Sequence, residues 1–277
     1  MSRNSDRIGT NNQSETGDAP PQMFNPLSFT APTEFVDLPS KGIGYPKGHP
    51  LHGKESIEIR YMTAKDEDTL SNQSLIKKGV ALERLLENII LESEIDPLTL
   101  LIADRNAILI KSRGTAYGYD YEARVKCPNC DTSNLMVFDL RNPKVTGGIK
   151  KDQDIVKLSD SGVFTTKLPF SKFNIDFRLA NGIEESKIAQ VLINDNKEFS
   201  ISDQYKEMII SIEGHSDKEI IEKFVDNMPM ADSVHFKMCL KHATPSIDIS
   251  ETLVCKNCSH EQEVQVPFGT DFFWPNS

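Results

Sequence analysis

The chain has 277 residues, with 31 Lys and Arg against 41 Asp and Glu, and a formal net charge of −10. That length supports one or two domains with real cores, and no apolar run approaches the roughly 20 residues of a membrane-spanning helix. An acidic body argues against a nucleic-acid ligand, because affinity for DNA or RNA comes mostly from basic side chains on phosphates.

Residues 1–33 are rich in Ser, Asn, Thr, Gly and Pro and lack apolar periodicity, so a disordered arm is expected. Its Arg3 and Arg7 against Asp6, Glu15 and Asp18 contribute −1, which leaves −9 on the body. The arm has no apolar signal-peptide core, and no secretion is expected. Phe24, Leu27 and Phe29 near its end read either as a docking segment for a partner or as a featureless leader. Residues 34–53 hold prolines and glycines that forbid a helix and favour a winding, extended path. His49 and His52 in that stretch are three apart, and they read as loop residues rather than metal ligands. Residues 55–61 alternate polar and apolar, which predicts a half-buried strand.

Thr63 with Asp66 has the form of a capping box and predicts a helix through the high 60s. A second helix is predicted over about 80–92, with Leu82, Leu85, Leu86, Ile89 and Ile90 on one face and Glu83, Arg84 and Glu87 on a solvated one. Asp96-Pro97 starts a short third helix, and Asp104 begins a fourth that ends near Gly114 to Gly118. Residues 119–140 read as a hairpin, 141–162 as a linker, and 163–180 as a strand pair turning at Pro169 to Lys172. Helical patterns follow at 183–193, 203–213, 217–227 and 230–242. Ser202/Asp203 and Ser216/Asp217 are the expected N-caps and Gly214 a stop. Cys239, on the last of these helices, reads as a small buried apolar residue. A second hairpin spans 247–268. The closing residues 269–277, with Phe268 just before them, bring Phe272, Phe273 and the single Trp274; a terminus this aromatic packs on its own fold or inserts into a neighbour.

Each hairpin carries a Cys-x-x-Cys at its tip: Cys127-Pro128-Asn129-Cys130 and Cys255-Lys256-Asn257-Cys258. Two residues between cysteines let both thiolates reach one ion from a tight turn, and four sulfurs make a tetrahedral structural zinc site. One such motif is shared with redox proteins; two on separate hairpins point to one bound Zn2+ per chain. Four thiolates and a divalent ion leave a charge of minus two, and Lys126 and Lys256 lie beside the ligands. The residue after each second Cys should turn with positive φ, and here it is Asp131 and Ser259 in place of Gly. Two disulfides or four unliganded thiols are the other reading of the same residues. Four metal-spaced cysteines suit a reducing compartment. No Gly-x-Gly-x-x-Gly before a helix, no P-loop and no Gly-x-Ser-x-Gly is present, and four sulfur ligands leave no position open for water. No catalytic or cofactor-binding residue is therefore assigned.

Phe35-Val36-Asp37-Leu38-Pro39-Ser40-Lys41-Gly42-Ile43-Gly44-Tyr45-Pro46 resembles the opening signature of the T-even-type phage baseplate hub family. Met62 to Asp68, Asp104-Arg105-Asn106, Arg113, Tyr117-Gly118, the two Cys-x-x-Cys pairs and Phe272-Phe273-Trp274-Pro275 are similar in kind and in order. The resemblance spans about 34–275, strongly over 34–130 and at the C-terminus and vaguely between. It implies a protein of contractile-tailed phages that belongs to, or helps assemble, the central baseplate hub, with other hub and tail proteins as partners, in the virion or in the host cytoplasm during assembly. It implies no catalytic residue.

The expected fold is α+β: a disordered arm (1–33), an extended segment with a strand and helices (34–118), a split zinc ribbon (119–140 plus 247–268), an inserted α+β subdomain (141–246) and an aromatic end (269–277). The expected function is a non-enzymatic structural or assembly protein of a tail baseplate, oligomeric if the baseplate requires it. A nucleic-acid-binding zinc ribbon, such as a phage transcription factor, is the alternative, and a thiol redox protein the third.

Overall fold

In a computed structural model the residues described are 30–148, 155–159, 161–187, 200–266 and 270–273. The expected arm up to residue 29, the second half of the 183–193 helix, Phe268 and Trp274 lie outside them. The architecture is mixed α+β, with helices packed among small antiparallel sheets.

Strand β1 (Thr33–Asp37) pairs with β2 (Ser56–Arg60), and Val36, Ile57 and Ile59 point into the core. Helix α1 (Ala64–Leu70) starts at the expected capping box, where the Thr63 N–H and hydroxyl both donate to Asp66 Oδ2, at 2.8 and 2.9 Å. Arg60 holds the same carboxylate with two further bonds of 2.6 and 2.9 Å. Helix α2 (Gln73–Lys77) is short and capped by Asn72. Helix α3 (Ala81–Ile89) buries Leu85, Leu86 and Ile89 and leaves an exposed Arg84–Glu87 pair, as its periodicity predicts. Asp96 caps the 3-10 turn Pro97–Thr99.

Helix α4 (Ile102–Tyr117) starts two residues before the expected Asp104 and ends at Gly118 with φ 90°. It is buried on several sides, through Ile108 and Ile110 but also through Asp104 and Arg113. Asp104 meets the winding segment that joins β1 to β2. Ser40 donates to it twice, from its N–H at 2.9 Å and its hydroxyl at 2.5 Å, and the Tyr45 hydroxyl donates at 2.8 Å. That hydroxyl also accepts the Leu101 N–H at 3.0 Å. Burial pushes both the Asp104 carboxyl and the Tyr45 phenol above their ordinary pKa values. Gly42, at φ +71°, is required here because a Cβ would sit 2.4 Å from the Lys54 backbone N. His49 stacks on Tyr45 with ring centroids 4.5 Å apart and reaches Thr99 Oγ1 at 2.9 Å. His52 Nδ1 lies 2.7 Å from the Tyr45 carbonyl, so both histidines serve the loop.

Strands β3 (Asp120–Lys126) and β4 (Ser133–Asp139) form the first hairpin. The stretch 141–162 is not simply a linker. It contains β5 (Lys144–Gly147), which pairs with β10 (Pro245–Asp248), and β6 (Lys157–Leu158). Strand β5 is exposed along its whole length, so no burial pattern marks it; a partner about a hundred residues away makes it a strand. Strand β6 edges the sheet β6–β7–β8–β9, with β7 (Phe164–Lys167), β8 (Asn174–Phe177) and β9 (Ile209–Ile212). Helix α5, described over residues 182–187, leads out of this region. Gly162 packs this sheet against the winding segment, since a Cβ there would lie 2.8 Å from the Gly44 carbonyl O.

The helical pattern expected over 203–213 divides in two. Helix α6 (Ile201–Met208) is capped by Ser200 in a capping box with Asp203, in place of the expected Ser202/Asp203 cap. The β-branched run Ile209-Ile210-Ser211-Ile212 then becomes β9, where Ser211 donates to Asp176 at 2.7 Å across the ladder. Gly214, at φ +80° beside Glu213 at φ 49°, turns the chain after that strand instead of stopping a helix. Helix α7 (Lys218–Asp226) is capped by Asp217 as expected, and α8 (Met230–Ala243) follows. Cys239 is fully buried on α8, 3.3 Å from Thr166 Oγ1. The second hairpin is β11 (Ser250–Val254) with β12 (Glu261–Gln265); residues 247 and 248, expected in it, belong to β10.

Asp104→Ala strands three donors in a dry interior. The expected loss is about 3 kcal/mol or more of unfolding free energy, against less than about 0.5 kcal/mol for Arg84→Ala at its exposed pair. Urea denaturation of the two variants measures the contrast, and equal midpoints would remove Asp104 as an anchor.

Candidate metal centre

The alternation of β3 and β4 sets which residues face inward: Tyr121 and Ala123 from one strand, Asn134, Met136 and Phe138 from the other. Each hairpin turns in the same way. In the first, the Cys127 N–H donates to the Thr132 carbonyl at 3.0 Å and the Asp131 N–H to the Cys127 carbonyl at 2.8 Å. In the second, the Cys255 N–H donates to the His260 carbonyl and the Ser259 N–H to the Cys255 carbonyl, both at 2.9 Å. Asp131 and Ser259 take φ of 53° and 57°, the left-handed turn expected after each second cysteine.

The four thiols Cys127, Cys130, Cys255 and Cys258 come together, with all four Sγ atoms within 4.8 Å of one another. Cys127 Sγ lies 3.7 Å from Cys258 Sγ, and Cys130 Sγ lies 3.6 Å from Cys255 Sγ. All are free thiols, and these separations are well beyond a disulfide bond of about 2.05 Å. A tetrahedron with metal–sulfur bonds of about 2.3 Å has edges of about 3.8 Å, so the donor set fits a structural metal. Cys127 and Cys255 are buried, while Cys130 and Cys258 are half-buried toward solvent.

The surroundings bias the thiols unequally. Burial pushes Cys127 up to about 11. Hydrogen bonding from Thr132, first through its hydroxyl and then its backbone, brings Cys130 down to about 6. The backbone N–H groups of Asn257 and Cys258 draw Cys255 down. Donors aimed at sulfur are what a tetrathiolate of excess negative charge requires. Lys126 and Lys256 flank the cluster with exposed side chains.

Asn134 is a site residue that the motif does not reveal. It is buried, and its Nδ2 donates to the Thr132 carbonyl at 2.9 Å and approaches Cys255 Sγ at 3.7 Å. Its Oδ1 accepts the Lys256 N–H at 3.0 Å. One side chain of the first hairpin thus holds the turn of the second. Its sequence signal is a lone polar residue at an inward position of an alternating strand.

At the root of the first hairpin, Arg113 is buried without a carboxylate partner among the described residues. Its guanidinium lies 4.6 Å from the Tyr121 ring centroid and 5.5 Å from that of Phe272. Its Nε donates to the Phe272 carbonyl at 2.8 Å and its Nη1 to the Gly118 carbonyl at 2.7 Å. The 3-10 turn Thr270–Phe273 is held there, with Phe272 and Phe273 buried. These two aromatics pack on their own fold, as one of the two expectations had it.

Compared with known proteins, residues 34–274 match the family model described as T4 bacteriophage base plate protein. No curated protein matches, and no solved structure matches.

Asn134→Ala keeps the four sulfurs and removes the bridge between the turns. Loss of such an outer partner lowers metal affinity by about 10- to 100-fold. Competition with a chromophoric chelator during Zn2+ titration gives the number, and an unchanged affinity would confine Asn134 to a packing role.

Proposed function

Because this chain belongs to the T4 bacteriophage base plate protein family, we propose that it is a structural or assembly component of the central hub of a contractile phage tail baseplate. It works there by binding other hub and tail proteins, and it catalyses no reaction. Family membership over nearly the whole chain carries this conclusion. A closed four-sulfur centre supports it, since such a centre stabilises a fold and offers no open coordination position. The place of action is the tail baseplate of the virion, with the host cytoplasm as the site of assembly. Among the described residues no helix is long and apolar enough to cross a membrane.

The metal is one Zn2+ per chain, held by Cys127, Cys130, Cys255 and Cys258. When bound, the ion neutralises thiolates and fixes the two turns to one another; zinc-finger peptides gain roughly 10–16 kcal/mol in this way. Both hairpins contribute ligands equally, so neither is dispensable. The acidic body, with its formal net charge of −10 over the whole chain, suits protein partners and not phosphates.

Three outcomes are expected. Mass spectrometry of purified virions and of hub subassemblies finds the chain at a fixed ratio to hub proteins; absence from both overturns the assignment. Elemental analysis finds one zinc per chain, with Cys127→Ser and Cys255→Ser lowering thermal stability alike and several-fold more than Cys239→Ser. A wild-type chain free of zinc, or cysteine variants that keep it, would count against the ribbon. Mixed-sequence DNA shows no detectable binding at physiological salt, whereas tight binding that falls steeply with salt would favour a nucleic-acid role.

A further inference from the structure

Helix α8 is apolar on two sides. One side packs Phe236, Cys239 and Leu240 into the core. The other presents Met230, Val234 and Met238 to solvent, with 77%, 52% and 47% of their surface exposed. Residues four apart form one stripe along a helix, and a surface helix ordinarily turns a polar face to solvent opposite its core face. Asp232, in the first turn of α8, is buried on the core side. It accepts the Phe170 N–H at 2.7 Å and the Ser171 N–H at 3.0 Å, and so places Phe170, 70% exposed, beside the first turn of α8.

A groove of about 510 Å3 between α4, α6, α8 and β10 runs along the same helix. Ile102, Ile247 and the half-exposed Ile201 line it, together with Lys237 and Lys241 of α8. Both lysines are exposed, and neither ion-pairs with a described residue. On a chain with ten more acidic than basic side chains, two cations without an ion pair among the described residues, beside an exposed apolar stripe and a groove, are a local reversal of charge.

We propose that this face docks an acidic amphipathic segment of a different protein. Its apolar side chains cover Met230, Val234, Met238 and the groove, and its carboxylates meet Lys237 and Lys241. A second copy of this chain fits less well. The one acidic residue of α8 is Asp232, which is buried with both oxygens already bonded. Pairing α8 with α8 would therefore bring four lysines together and no carboxylate. The proposal rests on the reading that the chain acts by binding protein, and not on the hub in particular.

The test isolates, through a tag, the complex that the full-length chain forms in infected cells, and treats it with a carbodiimide, which joins lysines directly to carboxylates. Links from Lys237 or Lys241 to Asp or Glu of a different polypeptide are expected. So is slower peroxide oxidation of Met230 and Met238 than in the isolated chain, with the buried Met136 of β4 unchanged. Lys237→Glu/Lys241→Glu should reduce recovery in the complex at least tenfold while leaving the melting temperature unchanged, and Lys77→Glu/Lys78→Glu at the exposed C-terminal end of α2 should change neither recovery nor melting temperature. Links confined to this chain's own sequence, or no links together with undiminished methionine oxidation, overturn the proposal. The expected links in a complex without hub proteins would leave this surface standing and remove the hub assignment; a hub complex with α8 bare would do the reverse. A chain recovered only in free form overturns both.

Discussion

Two turns 125 positions apart, carrying Cys130 and Cys255, meet with their sulfurs 3.6 Å from one another, and the path of everything between them is constrained by that meeting. Closing a loop of this length costs on the order of 4–5 kcal/mol in chain entropy. The protein supplies part of the closure itself. Asn134 bonds across from the first hairpin to the second, and the β5–β10 ladder brings the outgoing and returning chain side by side just beyond the ribbon. The proposed zinc would offset the remainder comfortably, because four thiolates release their repulsion only onto a cation.

Helix α4 is the second constraint. Near its start Asp104 gathers the Ser40–Tyr45 segment, and toward its end Arg113 gathers the C-terminal turn around Phe272. Each is buried without an opposite charge beside it among the described residues. Hydroxyls and an N–H satisfy the carboxylate; carbonyls and two aromatic faces satisfy the guanidinium. Burial moves both toward their neutral forms, Asp104 upward and Arg113 downward. Such contacts add little net stability over apolar packing but tolerate only one geometry, because any displacement leaves a polar group bare. Several of the residues that carry the resemblance to baseplate proteins, Ser40, Tyr45, Asp104, Arg113 and Phe272, lie at these two anchors.

What was legible from sequence is what local chemistry determines. The Cys-x-x-Cys turns, the Thr63–Asp66 box, the stripe of α3 and the burial of Cys239 each follow from residues within a turn or two of one another. What was not legible depends on distant partners. Strand β5 has no inward face, and only β10 makes it a strand. The run through β9 continues the apolar spacing of α6, and its switch to extended backbone is decided by β8. Asn134 and Arg113 stand out only once their partners, 121 to 159 positions away, are in place. The four sulfurs are legible because the motif is short and doubled; Asn134, which bridges the two turns, is a single residue without a motif.

Four of the five described sheets contain only two strands, so most of their strands have one edge with unspent hydrogen-bonding groups, β2 excepted where it bridges to Ile90. Exposed edges invite pairing with other chains. Here the outward positions carry Glu122 on β3 and Glu251, Glu261 and Glu263 on the second hairpin. These side chains make strand-to-strand approach costly in the free chain by mutual repulsion. Colloidal stability of the unassembled protein therefore depends on its ionisation. It is greatest well above the isoelectric point of about 5.2 and least near it, where the net charge that keeps the ladders of separate molecules apart vanishes.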